Sequence, residues 1–515
     1  MGTYNEKIDI LLHDDIFTNT LNLVSISSTD DNEHIRSIDD RILDHLCINI
    51  LPNIHHNVKH LLFESMSMER ILLAGNYPNL TSMKLFNFGQ HIALNYFTDE
   101  SIFQYIFKYQ IKELILENND YYNCIEGTIV LKEYTKNVYL LIMNLFKNLK
   151  SLTIVPSSSI INYPPLFIHD LPSTTFCSSI LTNLCINVNS LDDCLYLLDG
   201  RLKQLTTFIV QVDCINNDSS IIHNTNDLSN LKCFSLTCFT LTNAYDNRLI
   251  PLLRRMTYLE KLTLYIRLVD RSTFVDGTHL HNEILMHMSQ LHRFNFYIST
   301  QIPIDDSVHH LSDDNMQQTF NNIGYYQTSC IIDYYCSSNA ICHVFSLPFI
   351  FNRLEMITNR IPSLIFPHVT YLQVVDTIQF NYSFFIRVSR AFTLLKYFTI
   401  INIMSPLWNF EEYEADYIQS NSIIIFPHLI SLNMNILDKY YIEQFLLDTK
   451  THVPHLTELK LSYRNLKNVT ENFTRNATRN NCANIKRISF CDKRDYPNEL
   501  YIYFPSLEIV SFSII

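Results

Sequence analysis

Residues Val453–Tyr463 read VPHLTELKLSY. Leu456, Leu459 and Leu461 carry a Leu-x-x-Leu-x-Leu spacing, and the last two alternate with polar Glu458, Lys460 and Ser462. That alternation is the period of a strand with one buried face. The same spacing recurs along the chain, so its reading sets the fold class.

The series opens with Val58/Leu61/Phe63, Leu80/Met83/Leu85, Ile111/Leu114/Leu116 and Leu149/Leu152/Ile154. It runs on through first positions 181, 205, 231, 259 and 291, in steps of 24, 26, 28 and 32. After a gap, first positions 369, 395, 429, 456, 485 and 507 give steps of 26, 34, 27, 29 and 22. Several copies place a proline just ahead, as in NYPNL, FPHV, FPHL and FPSL. Leucine-rich repeats run about 20–29 residues with a strand and a helix or 3₁₀ turn in each, whereas a propeller blade needs about 40. The segments between strands read as helices. Asp246–Met256 sets Leu249, Leu252, Leu253 and Met256 on one face with Asp246 as N-cap, and Lys439–His452 does so with Ile442, Phe445 and Leu446. Strand, helix, strand at a fixed period predicts an α/β fold: a leucine-rich-repeat-like solenoid, a curved horseshoe with a parallel sheet on the concave side and helices on the convex side.

Four regions follow. Residues 1–57 lack the motif, and Ser37–Ile50 is predicted as a capping helix with Ile42, Leu46 and Ile50 inward. Residues 58–300 form a first repeat block. Residues 301–368 are an irregular insertion or junction through which the sheet is expected to continue, with possible strands at Cys330–Tyr335 and Cys342–Leu347. Residues 369–515 form a second block, which ends without a capping helix. A bare sheet edge is a pairing hazard, so a covering partner or further chain is expected there.

Composition excludes several functions. Seven glycines, with no GxGxxG or GxxxxGK, leave no phosphate-cradling loop. A net charge of −13 argues against a nonspecific nucleic-acid binder. A local basic group at Lys467, Arg475, Arg479, Lys486 and Arg487 reads as solvated loops. The 13 cysteines are scattered, no signal-peptide pattern opens the chain, and no apolar run approaches a membrane span. The chain therefore reads as soluble and reduced, cytoplasmic or nuclear, without a membrane partner.

The repeats resemble leucine-rich repeats of the ribonuclease-inhibitor type, and more specifically the degenerate repeat tails of F-box proteins. The residues that carry the likeness are NEKIDILLHD, LDHLCINILPNIHHNVKHL, SMERILLAGNYPNL and the closing FPHL and FPSL strands. In that family an F-box opening on Leu-Pro-x-Glu precedes the repeats. No such opening occurs here, and Asn5–Leu12 resembles the stretch that follows the box. The resemblance implies residues 1–57 as a remnant after an F-box, and a Skp-type linker as partner only where a box lies upstream. The family's Asn, three places after the last strand residue, appears at Asn119 and Asn189 but is replaced by Thr377 and Arg464, which predicts an irregular stack.

No catalytic, cofactor-binding or metal-binding residues are assigned. His279, His281, Glu283 and His287 lack the i, i+4 spacing of a metal helix and HExxH does not occur. His55–His56 and His309–His310 read as turn pairs. No GxSxG marks a nucleophile, and Asp192–Asp193 sit where a helix dipole favours acids. Trp408, beside Glu411, Glu412 and Glu414, is a candidate partner anchor. The residues between core positions of each strand face the concave side. They begin at Lys84, Ile115, Thr153, Cys185, Ile209 and Ser235 and continue with Thr263, Asn295, Gln373, Thr399, Asn433, Lys460, Ser489 and Ser511. This small, polar, nearly uncharged row suits a protein or peptide better than nucleic acid or a charged metabolite. The leading expectation is an interaction scaffold, the target-recruiting repeat region of an F-box-type ubiquitin-ligase adaptor. The alternatives are a stand-alone repeat protein and, remotely, an α/β enzyme.

Overall fold

The structure is a computed structural model that describes residues 19–26, 35–120, 127–156, 163–169, 171–172, 174–217, 228–304, 312–321, 327–335, 339–402, 422–434, 439–492 and 496–512. The chain divides into two compact units, Met1–Val269 with Thr278–Ile298, and Asp270–Gly277 with Ser299–Ile515. It is α/β, with large, mostly parallel sheets and short helices between strands.

In the first unit the strands are β1 (Thr20–Ile26), β2 (Ile35–Ser37), β3 (His60–Glu64), β4 (Ser82–Phe88), β5 (Glu113–Asn118), β6 (Ser151–Pro156), β7 (Asn183–Ser190), β8 (Thr207–Cys214), β9 (Cys233–Thr242), β10 (Lys261–Leu268) and the start of β11 (Arg293–Pro303). From β3 onward each pairs with its neighbour in sequence order. The pairing is parallel from β3 to β10, and like motif positions are in register: Leu61 faces Met83, Met83 faces Leu114, Leu114 faces Leu152 and Leu152 faces Leu184.

The motif explains this regularity through three backbone features. A turn precedes most of the repeat strands, in which the first motif residue donates its N–H three places back, as Leu80 does to Tyr77 O (3.2 Å) and Leu456 to Val453 O (3.3 Å), while Ile111 donates five places back to Ile106 O (3.2 Å). The residue receiving the turn bond is apolar and buried, as at Tyr77, Phe146, Met256, Phe366 and Phe504, so the repeat has a fourth core position. Next, two successive N–H groups of each repeat converge on one carbonyl of the repeat before. Lys150 and Ser151 donate to Lys112 O, Thr182 and Asn183 to Lys150 O, and Lys232 and Cys233 to Thr206 O, at 2.8–3.0 Å. Finally, side chains alternate across the sheet: Leu61, Phe63, Leu114, Leu116, Leu262 and Leu264 are all 0% exposed. Burying such side chains is the main favourable contribution to the fold.

In the second unit β12 (Gln327–Tyr335) and β13 (Asn339–Leu347) form an antiparallel hairpin. A separate sheet of 7 strands begins at β14 (Arg353–Ile357). It continues in parallel through β15 (Tyr371–Asp376), β16 (Tyr397–Asn402), β18 (Ser431–Met434), β20 (Glu458–Leu461), β21 (Arg487–Phe490) and β22 (Ile509–Phe512). Two-residue strands β17 (Ile424–Ile425) and β19 (Thr451–His452) pair on their own.

Several expectations are corrected. Residues 1–57 do contribute a strand: β1 pairs in parallel with β3, and Lys59 and His60 donate to Asn19 O in the same two-to-one pattern. Beyond β1 the direction reverses at β2. The sheet does not run through 301–368, since β13 and β14 belong to different sheets. The helix of residues 40–54 buries Leu43, Leu51 and Ile54, while Ile42 is 56% exposed and Leu46 and Ile50 are half-buried. Its middle turn, Leu46–Ile50, is π-helical, and the wider turn rotates the inward face out of the 3.6-residue phase. Asp246 lies inside a helical stretch that starts at Tyr245, although Leu249, Leu252, Leu253 and Met256 are buried as expected. Ile442, Phe445 and Leu446 are buried too. Leu291, Leu507 and Val510 are only half-buried.

Candidate functional site

The face of each sheet opposite the core is the candidate site. In the first unit the residues between core positions stand side by side. Leu62 faces Lys84, Lys84 faces Ile115, Ile115 faces Thr153 and Thr153 faces Cys185. The line goes on through Ile209, Ser235 and Thr263. In the second unit Gln373, Thr399, Asn433, Lys460, Ser489 and Ser511 form the equivalent line. The contrast with the core is sharp at Ile209, 42% exposed between Phe208 at 0% and Val210 at 1%. Asn295 is half-buried between buried Phe294 and Phe296, and Lys460 is exposed. The registers bring these residues together within each unit.

Hydrogen bonding along the line is sparse. Ser489 and Ser511 share a contact of 2.6 Å. Lys84 pairs with Glu117 at 2.6 Å and lies 4.3 Å from the centre of the Phe86 ring. Hydroxyl and amide groups spaced by about 4.8 Å, the distance between strands, offer donors and acceptors to an extended chain or a flat protein surface.

The sequence reading missed two features on the same faces. In the second unit Tyr371 and Tyr397 are directly opposed in register, and the Arg353 guanidinium lies 4.1 Å from the Tyr371 ring centre. In the first unit Asn187 faces Gln211, and Asp213 follows two residues on. Burial pushes the Asp213 carboxyl up to about 6, against opposing hydrogen bonds from the Asn187 and Gln211 side chains. Continuing the two-residue period along β7, β8, β14, β15 and β16 would have found all of them.

Other candidates fall elsewhere. His279 packs against Tyr245 with ring centres 5.7 Å apart, and lies 4.0 Å from Asp246. His281 and His287 are exposed. His55 and His56 meet edge to face at 5.8 Å. Among the described residues no three His, Cys, Asp or Glu side chains gather as metal ligands. Asp193 and Ser190 form a capping box, and Asp193 also accepts from Ile168 N (2.6 Å) and His169 N (2.9 Å). Asp192 pairs with Arg248. Arg475 pairs with Glu443 (3.5 Å) and Glu471 (3.6 Å), and Arg487 with Glu458 (3.0 Å), which partly neutralises the basic group. Trp408, Glu411, Glu412, Glu414, His309, His310 and Asn5–Leu12 lie outside the described residues.

A row of Asn amides bonds successive repeats at the start of the strand. Asn79, Asn148, Asn230 and Asn484 each precede a first motif residue and donate to a backbone carbonyl of the repeat before, at 2.6–2.9 Å. Ser506 does the same to Ala483 O at 2.8 Å.

Among the described residues no helix is long and apolar enough to cross a membrane. No protein-family model matches the chain, and no curated protein matches it.

Proposed function

We propose that the chain is a protein-interaction scaffold in which each unit is a leucine-rich-repeat-like solenoid and the line of residues opposite the core is the concave binding surface. The observation that carries this reading is the register of that line. Small polar and uncharged residues recur at that one position in many of the fifteen repeats, from Thr153 through Ser235 and Thr263 to Gln373, Thr399 and Asn433. Such a surface provides a flat run of hydrogen-bonding groups with scattered apolar contacts, the mixture found at non-obligate protein interfaces. The resemblance to F-box repeat tails adds a role in recruiting targets to a ubiquitin ligase.

Peptides selected by display against the whole chain test the surface. Ile209→Arg and Thr399→Arg place a bulky cation on the line and should weaken the selected binders by more than about tenfold, about 1.4 kcal/mol. Unchanged affinity in both variants would overturn the reading. The ligase role is tested separately, by co-purification of a Skp-type linker with the chain expressed with the coding sequence upstream. No association there would remove that role and leave the scaffold intact.

A further inference from the structure

The edge of the first unit's sheet at the starts of its strands carries an unbalanced positive belt. Each repeat places three residues there: the two before its first motif residue and the one after. From His56–Lys59 through Ser229–Lys232 none of these positions holds a carboxylate, in a chain whose net charge is −13. Lys59, Lys112, Lys147, Lys150 and Lys203 occupy them and are all exposed. The two-to-one backbone bonds fix their order. Lys112 and Lys150 lie on successive repeats, since Lys150 N donates to Lys112 O at 2.8 Å, so their Cα atoms are about 5 Å apart. Lys59 stands one repeat beyond Thr81, which donates to Lys59 O. The belt ends at Lys232, which pairs with Glu260 at 3.1 Å. Glu113, next to Lys112 in sequence, is engaged on the outward face, where it accepts from Ser82 Oγ at 2.7 Å.

We infer that this edge, distinct from the surface proposed above, docks an acidic segment of a partner protein. Charge complementarity chooses the partner. Lysine ammoniums are compact point charges with three donors each, suited to individual carboxylates. The flanking Asn79, Asn148, Thr182 and Thr206 extend the polar contact without adding charge. Nucleic acid fits less well. Stacking needs a series of aromatic side chains, whereas the belt's positions hold two rings, His56 and Tyr109, before the repeat that closes it. A long polyanion would also meet the field of the acidic remainder of the chain. A short segment lying within about 8 Å of the lysines is screened from that field.

The test uses the full chain and a labelled, short poly-glutamate peptide, read by fluorescence anisotropy at low and physiological salt. Binding that weakens with salt is expected. Lys112→Glu with Lys150→Glu should weaken it by about tenfold or more, and so should Lys147→Glu with Lys203→Glu, with melting temperature checked for each pair. Ile209→Arg, on the outward face, should leave it unchanged, so that failure of either surface is seen separately. No binding by the native chain overturns the inference, as does equal binding by both folded variants. Tighter binding of a single-stranded oligonucleotide of equal charge also overturns it and assigns the belt to nucleic acid.

Discussion

Asp492 reaches across to Ser462 on the neighbouring repeat, accepting from its Oγ at 2.7 Å. The same carboxylate accepts from Tyr463 N (2.7 Å) and Arg464 N (3.3 Å), at the start of helix Tyr463–Val469. A turn after β21 thus caps the helix that follows β20. The arrangement recurs in the first unit, where Asp120, after β5, accepts from Gln90 N at 2.7 Å at the start of helix Gln90–Tyr96. Repeats are stitched through helix ends as well as through the sheet.

Acid should loosen this stitch. Burial raises the Asp492 pKa, but hydrogen bonds from Ser462, Tyr463 and Arg464 outweigh it and hold the group below its ordinary value. A depressed carboxylate stabilises the fold above its unfolded pKa, and the contribution is lost as pH falls through the folded one. Asp492→Ala should therefore cost about 1 kcal/mol at neutral pH, the scale of a helix cap, and the gap from native should close in strong acid. Urea melts at several pH values measure it; a gap independent of pH would refute the assignment.

Asp213 should behave in the opposite sense. Its folded pKa, pushed up to about 6, exceeds the unfolded value of about 3.9. Between those values the folded state binds more protons, so stability falls as pH rises through the window. Asp213→Asn should flatten that part of the stability profile and raise neutral-pH stability relative to native. An unchanged slope between about pH 4 and 6 would exclude the group from the linkage.

The two faces of β20 predict unequal tolerance. Leu459 is 1% exposed and Lys460 is exposed. Leu459→Asp should cost several kcal/mol by burying an unpaired carboxylate, about 3 or more, while Lys460→Asp should stay within about 0.5 kcal/mol. Equal losses in urea melts would contradict the orientation of the strand.

Asparagine loss should depend on burial. Asn481 is 3% exposed and its amide donates to Phe445 O (3.1 Å) and Thr451 O (2.7 Å), while its oxygen accepts from Val453 N at 3.3 Å. Asn481→Ala strands these groups and should cost about 2–3 kcal/mol. Asn148 is exposed, so water replaces its bond to Tyr109 O, and Asn148→Ala should cost less than about 1 kcal/mol. Calorimetry of both variants separates the outcomes.

Gly277 meets Thr319 at close range. A Cβ there would stand 2.3 Å from Thr319 O, a backbone atom with little freedom to retreat. Gly277→Ala should lower stability by about 1–3 kcal/mol through forced displacement. A melting temperature equal to native would show that the segment yields freely.

The parts visible in the sequence were those written in side-chain period. Leucine spacing locates the core of nearly every repeat, and the alternate residues mark the outward line. Thr20–Ile26 escaped because it keeps Leu21 and Leu23 without an apolar residue three places ahead of Leu21. Ile42 was misplaced because a π turn has no signature in hydrophobic spacing. The Asn row ahead of the strand escaped because the family likeness directs attention to positions after it, such as Asn119 and Asn189. Which residues face outward was readable from the alternation alone.

Through the sheet, the convergence of two N–H groups on one carbonyl ties each repeat to the one before it, while Arg248 and Tyr441 reach over one repeat to Asp192 and Asp376. Mechanical load along either stack would therefore be borne link by link, and fraying would travel inward from a free end like a zip rather than dissolve the whole unit at once.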